Sequence, residues 1–308
     1  GVGKRWVSRF KSRHWREIAT YCSKSLESVR ADAFTPECKA KWFQILLDLM
    51  TKHNIPPERL FKMDECGCQL GIPCRQHVTA RRGKRVQHER SSGNRELVSV
   101  LATVCAAGTL LRPAVIFKGK NVMSSWGENN PLKAWIGVQN KGYANGTIGV
   151  AWMKKEFDAQ TSKISEHGAL ARIILVDGHN SHYTVEGLDW ACDHNIHVLA
   201  YPPHCTHVLQ GLDVVLFSVF KRRYSTAFKA YELDTGEKVT KDAFLSVIEK
   251  PWRETFTEEN IFASFRATGV WPWNPDTIKA ELTAPSQHNT TLDFLEQPSP
   301  VKAMVTAL

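Results

Sequence analysis

Three aspartates stand where their chain context makes an acid conspicuous. Asp177 follows the apolar run Ile173-Ile174-Leu175-Val176 and precedes Gly178. Four apolar residues bounded by a glycine read as a strand buried on both faces. That strand delivers the acid to its exit, close to the low-dielectric interior. Asp64 lies inside the short apolar-rich segment RLFKMDECG, and Asp213 opens LDVVLFSVFKRRYSTAFKAY. Carboxylates gathered in a low dielectric repel one another strongly. They are tolerable together only around cations, and hard oxygen donors in an open site suit Mg²⁺ or Mn²⁺. Two such ions roughly 3.5–4 Å apart can activate a water or a 3′-hydroxyl and stabilise the leaving oxygen of a phosphodiester. Taken singly, Asp177 before Gly178 could merely order a turn and Asp213 could cap a helix. The three together, on the element order that follows, point to metal chemistry.

The first fifty residues read as helical. Trp6, Phe10 and Trp15 fall at helical spacing among Lys and Arg. Thr35 is a suitable N-cap ahead of Pro36 and Glu37, with the apolar stripe Trp42, Ile45, Leu46, Leu49 behind it. Pro56 and Pro57 then stop the helix, since neither has an amide hydrogen to donate. Beyond them the pattern becomes a strand around Asp64 and a hairpin turning at Ala107-Gly108-Thr109. After that come a helix in TIGVAWMKKEFDAQTSKI, the buried strand before Asp177, a helix in TVEGLDWACDHN, a strand in IHVLAYPP and the long helix after Asp213. A hairpin followed by alternating helices and strands builds a mixed α/β sheet with flanking helices. This is the order of the ribonuclease-H-like fold, preceded here by a helical segment. It makes the strands of Asp64 and Asp177 neighbours and lays the last helix across them. Trp126, Trp135, Trp152, Trp190 and Trp252 are expected in the core or at an interface.

Apolar residues make up 43% of the 308 and charged residues 23%, the proportions of an ordinary globular chain. No apolar run is long enough to span a bilayer, and the start shows no signal-peptide pattern. The eight scattered cysteines read as reduced thiols. Lys and Arg exceed Asp and Glu by 40 − 31 = 9, which favours a polyanionic partner, DNA or RNA. The opening GVGKRW lacks Met and suggests a fragment.

Four segments, KMDECGCQLG, ILVDGHNSH, YPPHCTHVLQGLDVVLFSVFKRRY and SFRATGVWPWNP, closely resemble, in order, the DDE-superfamily transposases of the pogo type, relatives of centromere protein B and the jerky-like proteins. The resemblance runs from about residue 1 to about residue 278. It implies that Asp64, Asp177 and Asp213 are the catalytic, metal-holding acids, the last two 213 − 177 = 36 positions apart. It implies Mg²⁺- or Mn²⁺-dependent DNA cleavage and strand transfer in cut-and-paste transposition. Double-stranded DNA would be the partner, as transposon ends and target, in the nucleus, with no membrane and with a homodimer as one arrangement. VGKRWVSRFKSRH resembles the end of the family's centromere-protein-B-type helix-turn-helix region. The expected divisions are 1–55 for that helical segment, 56–235 for the catalytic core, 236–278 for a helical extension and 279–308 for a loosely ordered tail. Cys66 and Cys68 stand where the family has Thr and an aromatic residue, Tyr143 where it has Trp, and Gly211 where it has Pro. None of these removes an acid, and Gly211 is expected to loosen the loop before Asp213. Such departures keep open an alternative, a domesticated, catalytically silent nuclear DNA-binding protein.

Glu65, His179, His182, His204 and His207 are candidates to contact phosphate or to orient the acids. A rival reading takes the two H-x-x-H pairs, or Cys66, Cys68, Cys74 and His77, as zinc ligands, but the spacing is not that of structural zinc sites. Arg81, Arg82, Lys84 and Arg85, in the basic segment 78–95, and Lys221, Arg222 and Arg223 are candidate DNA contacts. Should Asp213 not be the third acid, Asp189 and Asp193 come next.

Overall fold

A computed structural model describes residues 6–13, 34–71, 94, 96–140, 142, 145–178 and 184–279. At its centre lies a six-stranded sheet formed by β1 (Leu60–Gln69), β2 (Leu97–Cys105), β3 (Ala114–Lys118), β4 (Trp135–Gln139), β5 (Arg172–Val176) and β6 (Ile196–Ala200). The spatial order is β4-β3-β2-β1-β5-β6. β2 runs antiparallel to both β1 and β3, while β3/β4, β1/β5 and β5/β6 are parallel pairs. This is the mixed sheet that the sequence implies, with β1 and β5 adjacent at its centre. The hairpin turns through Gly108, whose φ of +86° suits a residue without a side chain. β4 is an addition to the strands that the sequence suggests. Its WIGVQ run is short, only half-buried and interrupted by Gly137, so its strand pattern is weak.

Among the described residues the main helices are α1 (Trp6–Arg13), α2 (Pro36–Lys52), α3 (Ser125–Glu128), α4 (Gly146–Trp152, with a further turn at Asp158–Thr161), α5 (Val185–Asp193), α6 (Thr206–Leu209), α7 (Phe217–Thr235), α8 (Lys241–Thr255) and α9 (Glu258–Ala267). Their starts follow local chemistry. The Thr35 hydroxyl accepts from the Cys38 amide at 3.0 Å, Asn145 caps Ile148 at 3.0 Å, and Thr184 caps Gly187 at 3.1 Å. Each such cap stabilises by about 1 kcal/mol. Two wide π-turns, Met153–Phe157 after α4 and Leu212–Leu216 before α7, interrupt what the sequence suggests are plain helices.

The period-two alternation of the strands sorts the core into two faces. Phe61, Met63, Leu101, Ile174 and Val176 pack with Trp152 and Phe157 of the α4 region and Ala191 of α5. On the other face Leu60, Cys66, Ile173, Leu175 and Leu199 meet Trp42 and Leu46 of α2 and Phe220, Phe244, Trp252 and Phe265 of α7–α9. Burying each of these large side chains contributes roughly 1.5–3 kcal/mol. Trp126, Trp152 and Trp252 are buried, as expected, while Trp135 and Trp190 are half-buried.

Candidate active site

The sheet register brings the acids together. Lys62 pairs with Leu175, so the same register carried on two residues sets Asp64 beside Asp177. Val176 pairs with Ala200, and the Tyr201 amide donates to the Val176 carbonyl at 2.9 Å, which sets Tyr201 beside Asp177. Alternation gives Asp64 the face of Leu60 and Cys66, Asp177 that of Ile173 and Leu175, and Tyr201 that of Leu199. Asp64, Asp177 and Tyr201 thus form one row across three strands, all on the face covered by α2 and α7–α9.

Asp213 comes to this row from the π-turn that enters α7. π-turns concentrate at functional sites because they widen the backbone locally. Asp213 does not cap the helix; no side-chain cap bond forms at the start of the π-turn or of α7. The turn is tied to β1 through Gln210, whose Nε2 donates to the Met63 carbonyl, one residue before Asp64, at 3.2 Å. The acids grade from floor to rim. Asp64 is 6% exposed, Asp177 half-buried and Asp213 exposed.

The charges of Asp177 and Asp213 act on Asp64. Burial, then the charge of Asp213, then that of Asp177 push the Asp64 carboxyl well above the ordinary carboxylate range, against the Glu65 amide that donates to its Oδ1 at 2.8 Å. The Tyr201 hydroxyl is raised by burial and then by the same three carboxylates. Among the described residues, two polar atoms of the region are buried with no hydrogen-bond partner, Tyr201 Oη and Gln210 Oε1. Among the described residues no three His, Cys, Asp or Glu side chains already stand at metal-binding spacing. The donor set nonetheless suits a hard divalent ion: Asp64, Asp177 and Asp213 are oxygen donors, and the orphaned Tyr201 and Gln210 atoms suit its bound waters. These three acids are the residues that would hold Mg²⁺ or Mn²⁺.

The other sequence candidates divide. Period two turns Glu65 to the sheet face opposite Asp64. His204, in the loop after β6, is exposed, and His207, half-buried on α6, has Nδ1 3.0 Å from the His204 carbonyl. Lys221 and Arg222 are exposed on α7. Arg223 ties α7 to α8, its Nη1 donating to Thr255 Oγ1 at 3.3 Å and to the Glu254 carbonyl. Cys66 and Cys68 are core residues. Asp189 and Asp193 are exposed on α5, and the carboxylates that act on Asp64 are Asp213 and Asp177. His179, His182, Arg81, Arg82, Lys84, Arg85, Cys74, His77, Tyr143 and the tail beyond residue 279 lie outside the described residues.

Gly211 corrects an expectation. Its φ of −64° and ψ of −24° are ordinary helical values, so freedom of the backbone is not its use. A Cβ there would stand 2.3 Å from the Ser264 carbonyl oxygen of α9 and 3.0 Å from Lys62 Nζ. The absent side chain lets α9 press against the turn of Asp213, which fastens that turn instead of loosening it. Lys62 completes the contact: fully buried on β1, it donates to the Ser264 carbonyl at 3.4 Å and to Thr268 Oγ1, with Nζ 4.5 Å from the centre of the Phe265 ring. Sequence reasoning missed Lys62, Tyr201 and Gln210. For Tyr201 the parity of IHVLAY is a usable signal, but only once the β5/β6 register is known.

Comparison with known proteins gives the ribonuclease-H-like sheet a family. Residues 94–265, more than half of the chain, match the DDE superfamily endonuclease model, and the chain belongs to that family. The match takes in Asp177 and Asp213; Asp64 lies before it. Among solved structures, the fold is similar to that of the Mos1 mariner paired end complex with Mn (TM-score 0.56, 13% identity, 92% of this chain and 71% of that one). It is also similar to a pre-cleavage Mos1 transpososome (TM-score 0.52, 12% identity, 91% and 70%). At such identities the likeness is one of fold. A protein of Cochliobolus lunatus named MFS-type transporter clz9 is 32% identical over 247 residues, 78% of this chain but 26% of that protein. The chain therefore spans about a quarter of that relative's length. Among the described residues no helix is long and apolar enough to cross a membrane.

Proposed function

We propose that this chain is the catalytic part of a pogo-type transposase, a relative of centromere protein B. It cuts double-stranded DNA at transposon ends and joins the freed 3′-hydroxyl to target DNA in the nucleus, and it works as a homodimer. The observation that carries this reading is the row of Asp64 and Asp177 on neighbouring strands, with the charge of Asp213 reaching Asp64. Mg²⁺ or Mn²⁺ bound there supplies activation of the attacking oxygen and stabilisation of the leaving one. The chain's own part is positional. Asp64 gives a rigid floor on β1, Asp177 stands beside it at the end of β5, and Asp213 is presented from the turn that α9 and Gln210 hold against β1. Lys221 and Arg222, with the basic segment 78–95, hold the DNA backbone. Residues 1–55 are read as the end of a helix-turn-helix region, 56–235 as the core and 236–278 as its extension.

A supercoiled-plasmid nicking assay with Mg²⁺, Mn²⁺ or Ca²⁺ tests this. Nicking is expected with Mg²⁺ and Mn²⁺. Alanine at Asp64, Asp177 or Asp213 singly is expected to lower the rate by orders of magnitude, non-additively, while DNA binding survives. Binding without cleavage, on cognate ends and with an intact helix-turn-helix, would make the chain a silent nuclear DNA-binding protein. Full activity of the Asp213 variant would move the third acid elsewhere.

A further inference from the structure

Tyr201 is the third member of the row, and packing does not account for its hydroxyl. The residue is 1% exposed, and among the described residues Oη has no hydrogen-bond partner. A phenylalanine would fill the same space without stranding a polar group, and buried hydroxyls are as a rule paired. The ring is also held. Trp42 lies against it, ring centroids 5.4 Å apart, and the Trp42 indole donates to the Ala200 carbonyl at 3.0 Å, fixing the backbone one residue before. Asp177 stands beside Tyr201 in the β5/β6 register, and the charges that act on the hydroxyl are Asp64, Asp177 and Asp213. A second orphan, Gln210 Oε1, is a buried acceptor on the segment that carries Asp213, held by the bond from Gln210 Nε2 to β1. A rigid donor and a rigid acceptor are left unpaired beside a set of carboxylates.

We infer that Tyr201 is a positioning residue, its hydroxyl hydrogen-bonding to a water on the divalent cation held by Asp64 and Asp177, with Gln210 Oε1 accepting from the same hydration shell. The inference rests on the reading of the acids as a cation site. Groups one bond removed from a metal fix the orientation of what binds it, and their removal lowers affinity about tenfold to a hundredfold. Gln210 in this role also couples cation binding to the turn of Asp213.

The test uses the full chain and its Tyr201→Phe variant, with Mn²⁺ as the probe. Mn²⁺ binding is followed by the resonance signal of the free ion and by the thermal shift it induces. The variant is expected to melt, free of metal, at the same temperature as the unmodified chain or higher, because a stranded hydroxyl has gone. Its Mn²⁺ midpoint is expected to rise about tenfold. The metal dependence of nicking should move by the same factor, with the rate recovered at saturating Mn²⁺. An unchanged Mn²⁺ midpoint would overturn the inference and leave the nuclease reading standing. A variant that fails to fold would overturn it too, since the hydroxyl would then be needed without metal. If the unmodified chain binds no Mn²⁺ that Asp64→Ala abolishes, the cation site and this inference fall together.

Discussion

Ionising Asp64 places a negative charge on a side chain 6% exposed, facing two further carboxylates. Its folded-state pKa is raised above the ordinary 3.8, so the neutral acid is what the metal-free fold prefers. The stabilisation from this group is therefore complete at pH below its unfolded value and is lost as pH rises through the folded one. Asp64→Asn is expected to stabilise the metal-free protein near neutral pH by about 1 kcal/mol, or ~2–4 °C in melting temperature, and to remove that decline. Urea unfolding in EDTA across a pH series checks both. Asp64 and Asp177 are legible in the sequence because an acid within or after an apolar run is conspicuous, and the long motifs around them add Asp213. Tyr201 is not. A tyrosine at the end of a strand is ordinary, and only the β5/β6 pairing and its unpartnered oxygen set it apart.

Where elements meet, two packing arrangements govern behaviour. The first is α9 on the turn of Asp213. Gly211→Ala forces a Cβ to within 2.3 Å of the backbone oxygen of Ser264. That oxygen cannot swing aside as a side chain would, so α9 or the turn must move. A loss of about 1–3 kcal/mol is expected from such overpacking, read as a lower urea midpoint, together with reduced nicking. The second is α2 on β6, where the rings of His53 and His197 lie 4.2 Å apart. Burial, then His53, then Lys52 depress His197 to about 4, while burial and then Lys52 lower His53. The sign is opposite to that of Asp64. Stability from the neutral pair is present above the unfolded pKa of about 6.5 and is lost as pH falls through that value towards about 4. The melting temperature is expected to drop across that window, and His197→Phe to flatten the drop. Helix starts are legible because caps are local, with Thr35 the clearest case. β4 and the two π-turns are not, since an edge pairing and a widened turn are decided by distant neighbours.

For the molecule as a whole, the net charge of +9 bears on what it binds more than on how it folds. On the DNA-binding reading, affinity for duplex should fall steeply as salt rises, because bound Lys and Arg release counterions from phosphate. Titrations from low to high salt check this; a flat response would count against phosphate neutralisation as the main attachment. Charge reversal at Lys221 and Arg222 should lower the slope by about one for each phosphate left without its cation. Arg223, engaged with α8, should matter to stability first. The strand order is largely legible because each strand announces itself by apolar residues in a short run. How near the three acids approach is not, because that distance depends on α9 and on the charge within the site.

α9 fastens the site from late in the chain. It meets the β2–β3 turn, where a Cβ on Gly108 would stand 2.6 Å from Glu258, and it meets Lys62 and Gly211 through Ser264 and Thr268. A ribosome releases the chain from its N-terminus, so Asp64, Asp177 and Asp213 all emerge before the residues that hold their scaffold in place. A nascent chain paused before Glu258 carries every acid yet lacks its brace. On the nuclease reading, the protein stays unarmed until translation has passed Thr268.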